Sequence, residues 1–204
     1  MLIIISSAVE LVNEAALIND LFDAGLKIFH LRKPQIVPQE METLLNNIDV
    51  KYHAKIALHQ HHLLAQSFGI KRLHFTETKR IQTNNKTLVD LKDNGNILST
   101  SIHQVTAFAK LSNCFDYAFF GPVFNSISKQ GYVSTMGSDV KIPVISNHPK
   151  AVAVGGITAG NLSEALHKQF DGVAALGTVW QQPEQSLEQF KTLQKAWNQT
   201  GRSY

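Results

Sequence analysis

Short apolar runs alternate along the chain with longer segments of mixed polarity. Eight such runs follow one another: LIII, KIFHLR, KIALHQ, RLHF, NILSTSIH, YAFFG, KAVAVGG and GVAALG. In the segment after the first run, apolar residues recur at helical spacing: Leu11, Ala15, Ile18 and Phe22. Gly25 then stands where a glycine commonly ends a helix. The pattern predicts eight β-strands separated by helices.

Strands that alternate with helices pair in parallel, in either an open sheet or a closed barrel. Small residues alternate with branched ones in AVAVGG and VAAL, which suits the crowded interior of a barrel. No GxGxxG or GxxxxGK[ST] motif, typical of open nucleotide-binding sheets, occurs in the sequence. The chain has 204 residues and no linker or low-complexity block. We therefore predict one α/β domain over residues 1–204, a compact, single-domain (β/α)8 TIM barrel.

Composition limits the cellular compartments and the classes of partner that we expect for the protein. The formal charge of +3, with 17% charged residues and no basic stripe, gives little reason to expect nucleic-acid binding. Cys114 is the single cysteine, which excludes an intramolecular disulfide and favours a reducing compartment. The first residues lack a basic region, and no apolar run approaches membrane-spanning length. We predict a cytoplasmic protein without membrane or nucleic-acid partners, and make no prediction of its oligomeric state.

In barrels of this kind, functional residues lie at the C-terminal ends of the strands and in the loops that follow. The sequence places these residues there: His30, Arg32, His59, Ser101, His103, the loop 121–129, Gly155, Gly156, Ile157, Gly177 and Thr178. The glycines end the seventh and eighth strands, where backbone N–H groups commonly bind phosphate. A side chain there would keep the backbone away from the phosphate oxygens. The alternative is that the glycines only form turns.

Arg32 follows His30 by two residues, so both side chains should face the same way. At a barrel mouth its guanidinium would clamp a phosphate or carboxylate, although a surface arginine is the alternative. His59 and His103 are candidate bases, although a lone histidine more often has a structural role. HQHH at residues 59–62 predicts no metal site, because its last two histidines begin a helix and no acidic or cysteine ligand is near in sequence.

Five stretches together resemble the thiamine phosphate synthase and TenI superfamily over nearly the whole chain: FHLRK, STSIH, DYAFFGPVFNSISK, VAVGGI and DGVAALGTV. The resemblance implies a TIM-barrel transferase of thiamine biosynthesis. It would couple hydroxymethylpyrimidine diphosphate with thiazole phosphate and release pyrophosphate. The resemblance assigns the diphosphate to Arg32, Ser126, Ser128 and Lys129, the pyrimidine to Ser101, and the thiazole phosphate to Gly155, Gly156, Gly177 and Thr178.

The resemblance also implies Mg2+ as a cofactor, but the sequence departs from the family at the ligands. Where the second strand of the family reads Gln-Leu-Arg-x-Lys, residues 30–34 read HLRKP. The Asn-Asp pair that the family has after the third strand is replaced here by His59-Gln60. The second aspartate of the family corresponds to a position near Thr78-Lys79, so it is also missing. Glu77 is the nearby carboxylate that could replace the missing ligands. We therefore predict no metal ligand among the site residues.

Three hypotheses follow from these departures. The first is the synthase reaction, favoured by Pro122 and the Ser-x-Ser-Lys tail. The second is a TenI-like tautomerase, which moves a proton on a thiazole carboxylate phosphate. Its histidine base would stand at Pro122, so His30, His59 or His103 would have to replace it. The third is a homologue that binds thiazole phosphate without catalysis.

Overall fold

The computed structural model describes residues 1–125 and 141–202, and its centre is a closed barrel of eight parallel strands. The strands are β1 (Leu2–Ile5), β2 (Phe29–Leu31), β3 (Ile56–Leu58), β4 (Arg72–Phe75), β5 (Ile97–Ile102), β6 (Tyr117–Phe120), β7 (Lys150–Val154) and β8 (Gly172–Ala175). Each strand pairs with the next, and β8 closes the barrel against β1, where Leu2 lies opposite Val173. The predicted (β/α)8 barrel is confirmed.

Helices surround the barrel and vary widely in length. They are α1 (Glu14–Asp23), α2 (Pro38–Asn47), α3 (Leu64–Ser67), α4 (Glu77–Gln82), α5 (Asn85–Asp93), α6 (Val105–Ala109), α7 (Leu162–His167), α8 (Gly177–Trp180) and α9 (Ser186–Gln199), with 3-10 turns at Val50–Lys55 and Pro183–Gln185. Gly25 follows α1 with a φ of 101°, as predicted for a glycine that ends a helix. None of the helices in the described part of the chain is long and apolar enough to cross a membrane.

Side chains of each strand alternate between the barrel interior and the layer beneath the helices. On β1, Leu2 and Ile4 join the outer core, whereas Ile3 and Ile5 face the interior. The interior apolar cluster consists of Ile3, Ile5, Tyr117, Phe119, Val152 and Ala174. It occupies only part of the lumen, because histidines and serines from neighbouring strands fill the rest.

The interior histidines follow from the same alternation. On β2, His30 lies between Phe29 and Leu31, which both belong to the outer core. On β4, His74 lies between Leu73 and Phe75, which also pack outward. Both histidines have an exposed fraction of 0%. Since a buried polar group without a hydrogen bond is costly, each imidazole must find partners inside the barrel.

The helix after β3 begins later than the sequence predicts. It starts at Leu64, so the expectation that His61 and His62 begin it is wrong. His61 has a φ of 53°, in the left-handed region, and its Nε2 lies 2.7 Å from the carbonyl oxygen of Ile36. His62 Nε2 lies 3.0 Å from the carbonyl oxygen of Leu58. These contacts hold the two residues in a turn rather than in a helix.

The connection between β6 and β7 is irregular in its described part. Residues 141–149 contain no helix, which is consistent with the two prolines of this stretch, because a proline interrupts helical hydrogen bonding. The N–H of Ile142 donates to the carbonyl oxygen of Lys168 at 3.1 Å, which ties this stretch to the end of α7. The predicted diphosphate residues Ser126, Ser128 and Lys129 lie outside the described residues.

Candidate active site

A cavity of about 490 Å³ opens at the C-terminal ends of the strands. Its wall includes most of the site residues predicted from the sequence: Arg32, His59, Ser101, His103, Gly155, Gly156, Ile157, Gly177 and Thr178. They converge because all strands of a parallel barrel end on the same face. His30 is the exception among the described candidates, because it lies within the barrel and does not line the cavity.

His30 connects the cavity wall to the barrel interior. Its Nδ1 lies 2.9 Å from Nε2 of His59, which lines the cavity and has an exposed fraction of 5%. Its Nε2 lies 2.7 Å from the hydroxyl oxygen of Tyr117, inside the barrel. A continuous hydrogen-bonded chain therefore runs from Tyr117 through His30 to His59.

His74 is a functional candidate that was not predicted from the sequence. Its ring stacks on that of His59 with 3.9 Å between centroids. Its Nδ1 lies 2.9 Å from the hydroxyl of Ser99, and its Nε2 lies 2.9 Å from the hydroxyl of Ser101. The signal was present in RLHF, where alternation places this histidine in phase with the barrel interior.

Together, His30, His59 and His74 form the histidine cluster, in which one nitrogen of each ring lies within 4.8 Å of the others. The three residues come from β2, the end of β3 and β4, so their proximity depends on strand pairing. The absence of further ligands near HQHH in the sequence therefore says little about this place, because its companions come from other strands.

Burial makes the histidine cluster neutral. Loss of solvation lowers the pKa of His30 and of His59 well below the ordinary value, and nearby histidines and arginines lower both further. Burial likewise lowers the pKa of His74 to about 3. The pKa of Tyr117 is raised to about 12, again mainly by burial. At neutral pH the cluster therefore consists of uncharged imidazoles beside a protonated phenol.

The two glycines after β7 allow the chain after β6 to pack closely against them. Gly155 and Gly156 have φ of 96° and 65°, a conformation that side chains disfavour. A Cβ on Gly156 would lie 2.3 Å from the carbonyl oxygen of Asn125, and one on Gly155 would lie 2.8 Å from Cα of Pro122. The N–H of Phe124 also donates to the carbonyl oxygen of Gly155 at 3.1 Å. Close packing of the loop after β6 therefore requires glycine at both positions, independently of any bound phosphate.

Two glycine-containing turns, after β7 and β8, line the cavity. In the described part of the chain, no acceptor is bonded to the N–H groups of Gly156, Gly177 or Thr178. The Thr178 hydroxyl donates to the carbonyl oxygen of Ile157 and thereby ties the β8 turn to the β7 turn. Asn161 supports the β7 turn, because its Nδ2 donates to the carbonyl oxygen of Gly156 at 2.7 Å. Within the described residues, these N–H groups are therefore available to an anion such as phosphate.

Arg32 and Lys33 have different surroundings although they are adjacent. Arg32 lines the cavity, and no carboxylate of the described residues forms an ion pair with it. Lys33 is only 4% exposed, and its Nζ lies 2.6 Å from Glu14 Oε2 and 2.6 Å from the carbonyl oxygen of Val9. Among the described lining residues, Arg32 therefore supplies the positive charge for a cavity ligand, while Lys33 stabilises the loop before α1.

The described residues around the cavity do not fit a Mg2+ ion, which prefers oxygen ligands. Glu77 is the single carboxylate among the described lining residues, and both its oxygens already face cations or potential cations. Oε1 lies 3.3 Å from Arg80 Nη2, and Oε2 lies 3.9 Å from His103 Nε2. His103 is itself held by the carbonyl oxygen of Gly121, 2.7 Å from its Nδ1.

The two positions at which the family resemblance expects aspartates carry other interactions. The Oε1 of Gln60 accepts from the backbone N–H of Lys33 at 3.2 Å. The Nζ of Lys79 lies 3.1 Å from Nδ1 of His62, and burial lowers the pKa of this lysine. Neither residue offers a free anionic oxygen, so no step of the chemistry is assigned to Mg2+.

Comparison with known proteins agrees with this architecture. The chain resembles the thiamine-phosphate synthase of Leuconostoc citreum (strain KM20), with 25% identity over 184 residues that cover 81% of this chain and 80% of the relative. The structure resembles a thiamine phosphate pyrophosphorylase from Bacteroides thetaiotaomicron, with a TM-score of 0.76, 27% identity and 97% of each chain covered.

A thiamine phosphate pyrophosphorylase from Pyrococcus furiosus shares the fold, with a TM-score of 0.71, 20% identity, and coverage of 97% of this chain and 95% of the other. The profile of the family described as thiamine monophosphate synthase matches residues 1–179. Since that match spans most of the chain and the closed barrel carries the expected cavity, the chain belongs to the thiamine monophosphate synthase family.

Proposed function

We propose that this protein couples hydroxymethylpyrimidine diphosphate with thiazole phosphate to form thiamine phosphate and pyrophosphate. The observation that carries the proposal is the pair of anion-binding features on one cavity. Backbone donors of Gly156, Gly177 and Thr178 line one part, and the guanidinium of Arg32 lines the cavity as well. Two phosphorylated substrates require two such features, and about 490 Å³ is a typical volume for a small-molecule site.

The proposed reaction is dissociative, as the family resemblance implies. The bond between the pyrimidine methylene carbon and the diphosphate oxygen breaks, and the electron pair leaves with the diphosphate. The thiazole nitrogen then donates its electron pair to the methylene carbon. Arg32 would stabilise the negative charge of the departing diphosphate, while the glycine turns hold the thiazole phosphate in place. Lys129, Ser126 and Ser128 enter this proposal through the resemblance alone.

The direct test is formation of thiamine phosphate by the purified protein from both substrates, with and without Mg2+. We expect Arg32→Gln to lower the rate about 100-fold, the usual effect of removing one transition-state charge partner. Lys129→Ala should also lose most of the rate. Lys86→Gln is the matched control, because Lys86 is an exposed cation on α5 that pairs with Asp90 away from the cavity. Absence of product at every metal concentration would exclude the synthase reaction.

A second candidate, the TenI-like tautomerase, is favoured by the position of His59. Its neutral imidazole lines the cavity and is backed by His30, so it could accept a proton from a bound thiazole carboxylate phosphate. This reaction predicts interconversion of carboxythiazole phosphate isomers without added metal. Loss of turnover in His59→Asn but not in His103→Gln would identify the base, and full rate in both variants, and in His30→Gln, would exclude this hypothesis.

Binding without turnover is the third outcome that the same preparation distinguishes. Calorimetry with thiazole phosphate should then show affinity, and Gly177→Val should abolish it by placing a side chain in the donor turn. If affinity persists in Gly177→Val, the phosphate is not bound at the β8 turn.

A further inference from the structure

We propose that His30, His59 and His74 form a binding site for one divalent transition metal of the Zn2+ or Co2+ class, with an open position toward the cavity. One nitrogen of each ring lies within 4.8 Å of the others, on three successive strands. Three histidines with one exchangeable position are a recurrent ligand set for such metals. The site is a property of this chain's residues and does not rest on the proposed reaction.

Ring positions are already close to those of a three-histidine site. A tetrahedral ion bound through nitrogens at about 2.1 Å places the imidazole centroids about 5 Å apart. The centroid of His30 lies 5.1 Å from that of His59 and 5.4 Å from that of His74. The distance between His59 and His74 is 3.9 Å, so this stacked pair must open by about 1 Å on binding.

Each of the two fully buried rings has a partner that would orient it as a ligand. The Tyr117 hydroxyl bonds Nε2 of His30, so the metal would be bound by Nδ1, in exchange for the present hydrogen bond between this nitrogen and Nε2 of His59. The Ser99 hydroxyl bonds Nδ1 of His74, which leaves Nε2 once the Ser101 hydroxyl turns away. Such outer partners fix ring orientation and typically strengthen metal binding by about 10- to 100-fold.

The three imidazole nitrogens favour a transition metal over Mg2+. Imidazole nitrogens suit Zn2+, Co2+, Ni2+ and Cu2+, whereas Mg2+ requires oxygen ligands that the histidine cluster does not offer. His59 lines the cavity, so an anion or a water molecule can complete the metal coordination from the cavity side. That ligand matters, because a dication among neutral side chains near Arg32 and Arg72 needs negative charge to offset its burial.

Titration of the metal-free, full-length protein with Co2+ and Zn2+ tests the proposal. We expect one ion per chain, with the intense visible absorption of four-coordinate Co2+ that Zn2+ displaces. His30→Gln and His74→Gln should lower the affinity about 100-fold or more. Tyr117→Phe should keep one ion per chain and lower the affinity about 10-fold. These variants preserve side-chain volume, and circular dichroism will show whether each one folds.

His61→Gln and His167→Gln are the matched controls, because neither belongs to the histidine cluster and His167 is exposed on α7. Both should bind metal as the unchanged protein does. Weak six-coordinate Co2+ absorption in the unchanged protein, or affinity lost in His61→Gln and retained in His30→Gln, would overturn the proposal. The spectrum of the unchanged protein decides the matter even if a cluster variant does not fold. Since the readout is metal binding, failure here leaves the coupling assay unaffected.

Discussion

Substitution of Gly156 by alanine should destabilise the protein in two separable ways. Gly156 has a φ of 65°, and a Cβ there would lie 2.3 Å from the carbonyl oxygen of Asn125 and 2.7 Å from Cβ of Phe124. Gly69 is a matched control, because its φ is 63° and nothing lies within 4 Å of its added Cβ. The difference between the two variants therefore isolates the steric clash from the backbone conformation.

The left-handed conformation costs an alanine about 1 kcal/mol relative to glycine, and this is the whole expected loss for Gly69→Ala. The clash at Gly156 is with a backbone carbonyl, which cannot rotate away as a side chain can. Overpacking of this kind costs about 1–3 kcal/mol more. Gly156→Ala should then lose about 2–4 kcal/mol in total, because the loop after β6 must move.

Thermal unfolding followed by circular dichroism measures the two losses. For a chain of this size each 1 kcal/mol lowers Tm by about 2–4 °C, so Gly69→Ala should fall by about 3 °C and Gly156→Ala by about twice that or more. Calorimetry with inorganic phosphate should show weaker binding for Gly156→Ala alone. Equal Tm losses in the two variants would refute the close packing between the β6 loop and the β7 turn.

Three further predictions follow from the described contacts. Lys33→Met should lower the unfolding free energy by about 3–5 kcal/mol in a urea titration, because it leaves the buried carboxylate of Glu14 without its partner. Lys86→Met, which breaks an exposed ion pair, should lower it by less than about 1 kcal/mol in the same titration. Trp180→Phe should cost about 2 kcal/mol, since it removes the indole N–H that donates to the buried carbonyl oxygen of Ile5 at 2.6 Å; an unchanged urea midpoint would contradict this. Any coupling activity should be insensitive to Mg2+, because the described lining residues of the cavity offer no free ligands for it. A rate that rises with Mg2+ and falls with chelator would show that residues outside the described ranges supply the ligands.

Much of the barrel was predictable because strands and helices leave different periodicities in the sequence. Runs such as LIII and YAFFG alternate with amphipathic segments, and chain order then implies parallel pairing. The same reasoning placed Arg32, His59, Ser101 and the glycine turns on one face, because strand ends of a parallel barrel share it. The start of α3 was wrong, since the contacts that hold His61 in a turn come from Ile36, far away in sequence.

The direction and partners of individual side chains were decided by tertiary structure. Lys33 follows Arg32 directly, yet it is buried against Glu14, because successive residues leave a strand on opposite sides. Alternation in RLHF indicates that His74 faces the barrel interior, but nothing in the run shows that two other histidines lie beside it.

The amino-acid sequence by itself determined the strand and helix periods, and with them the barrel and the face on which its site lies. Only the tertiary structure decided that His30, His59 and His74 meet, that the loop after β6 packs against the glycines of the β7 turn, and that Arg32 lines the cavity without an ion-pair partner among the described residues. The physical reason is separation along the sequence. Local periodicity determines which way a residue faces, whereas the identity of its neighbours depends on strand pairing between residues that are distant in the chain.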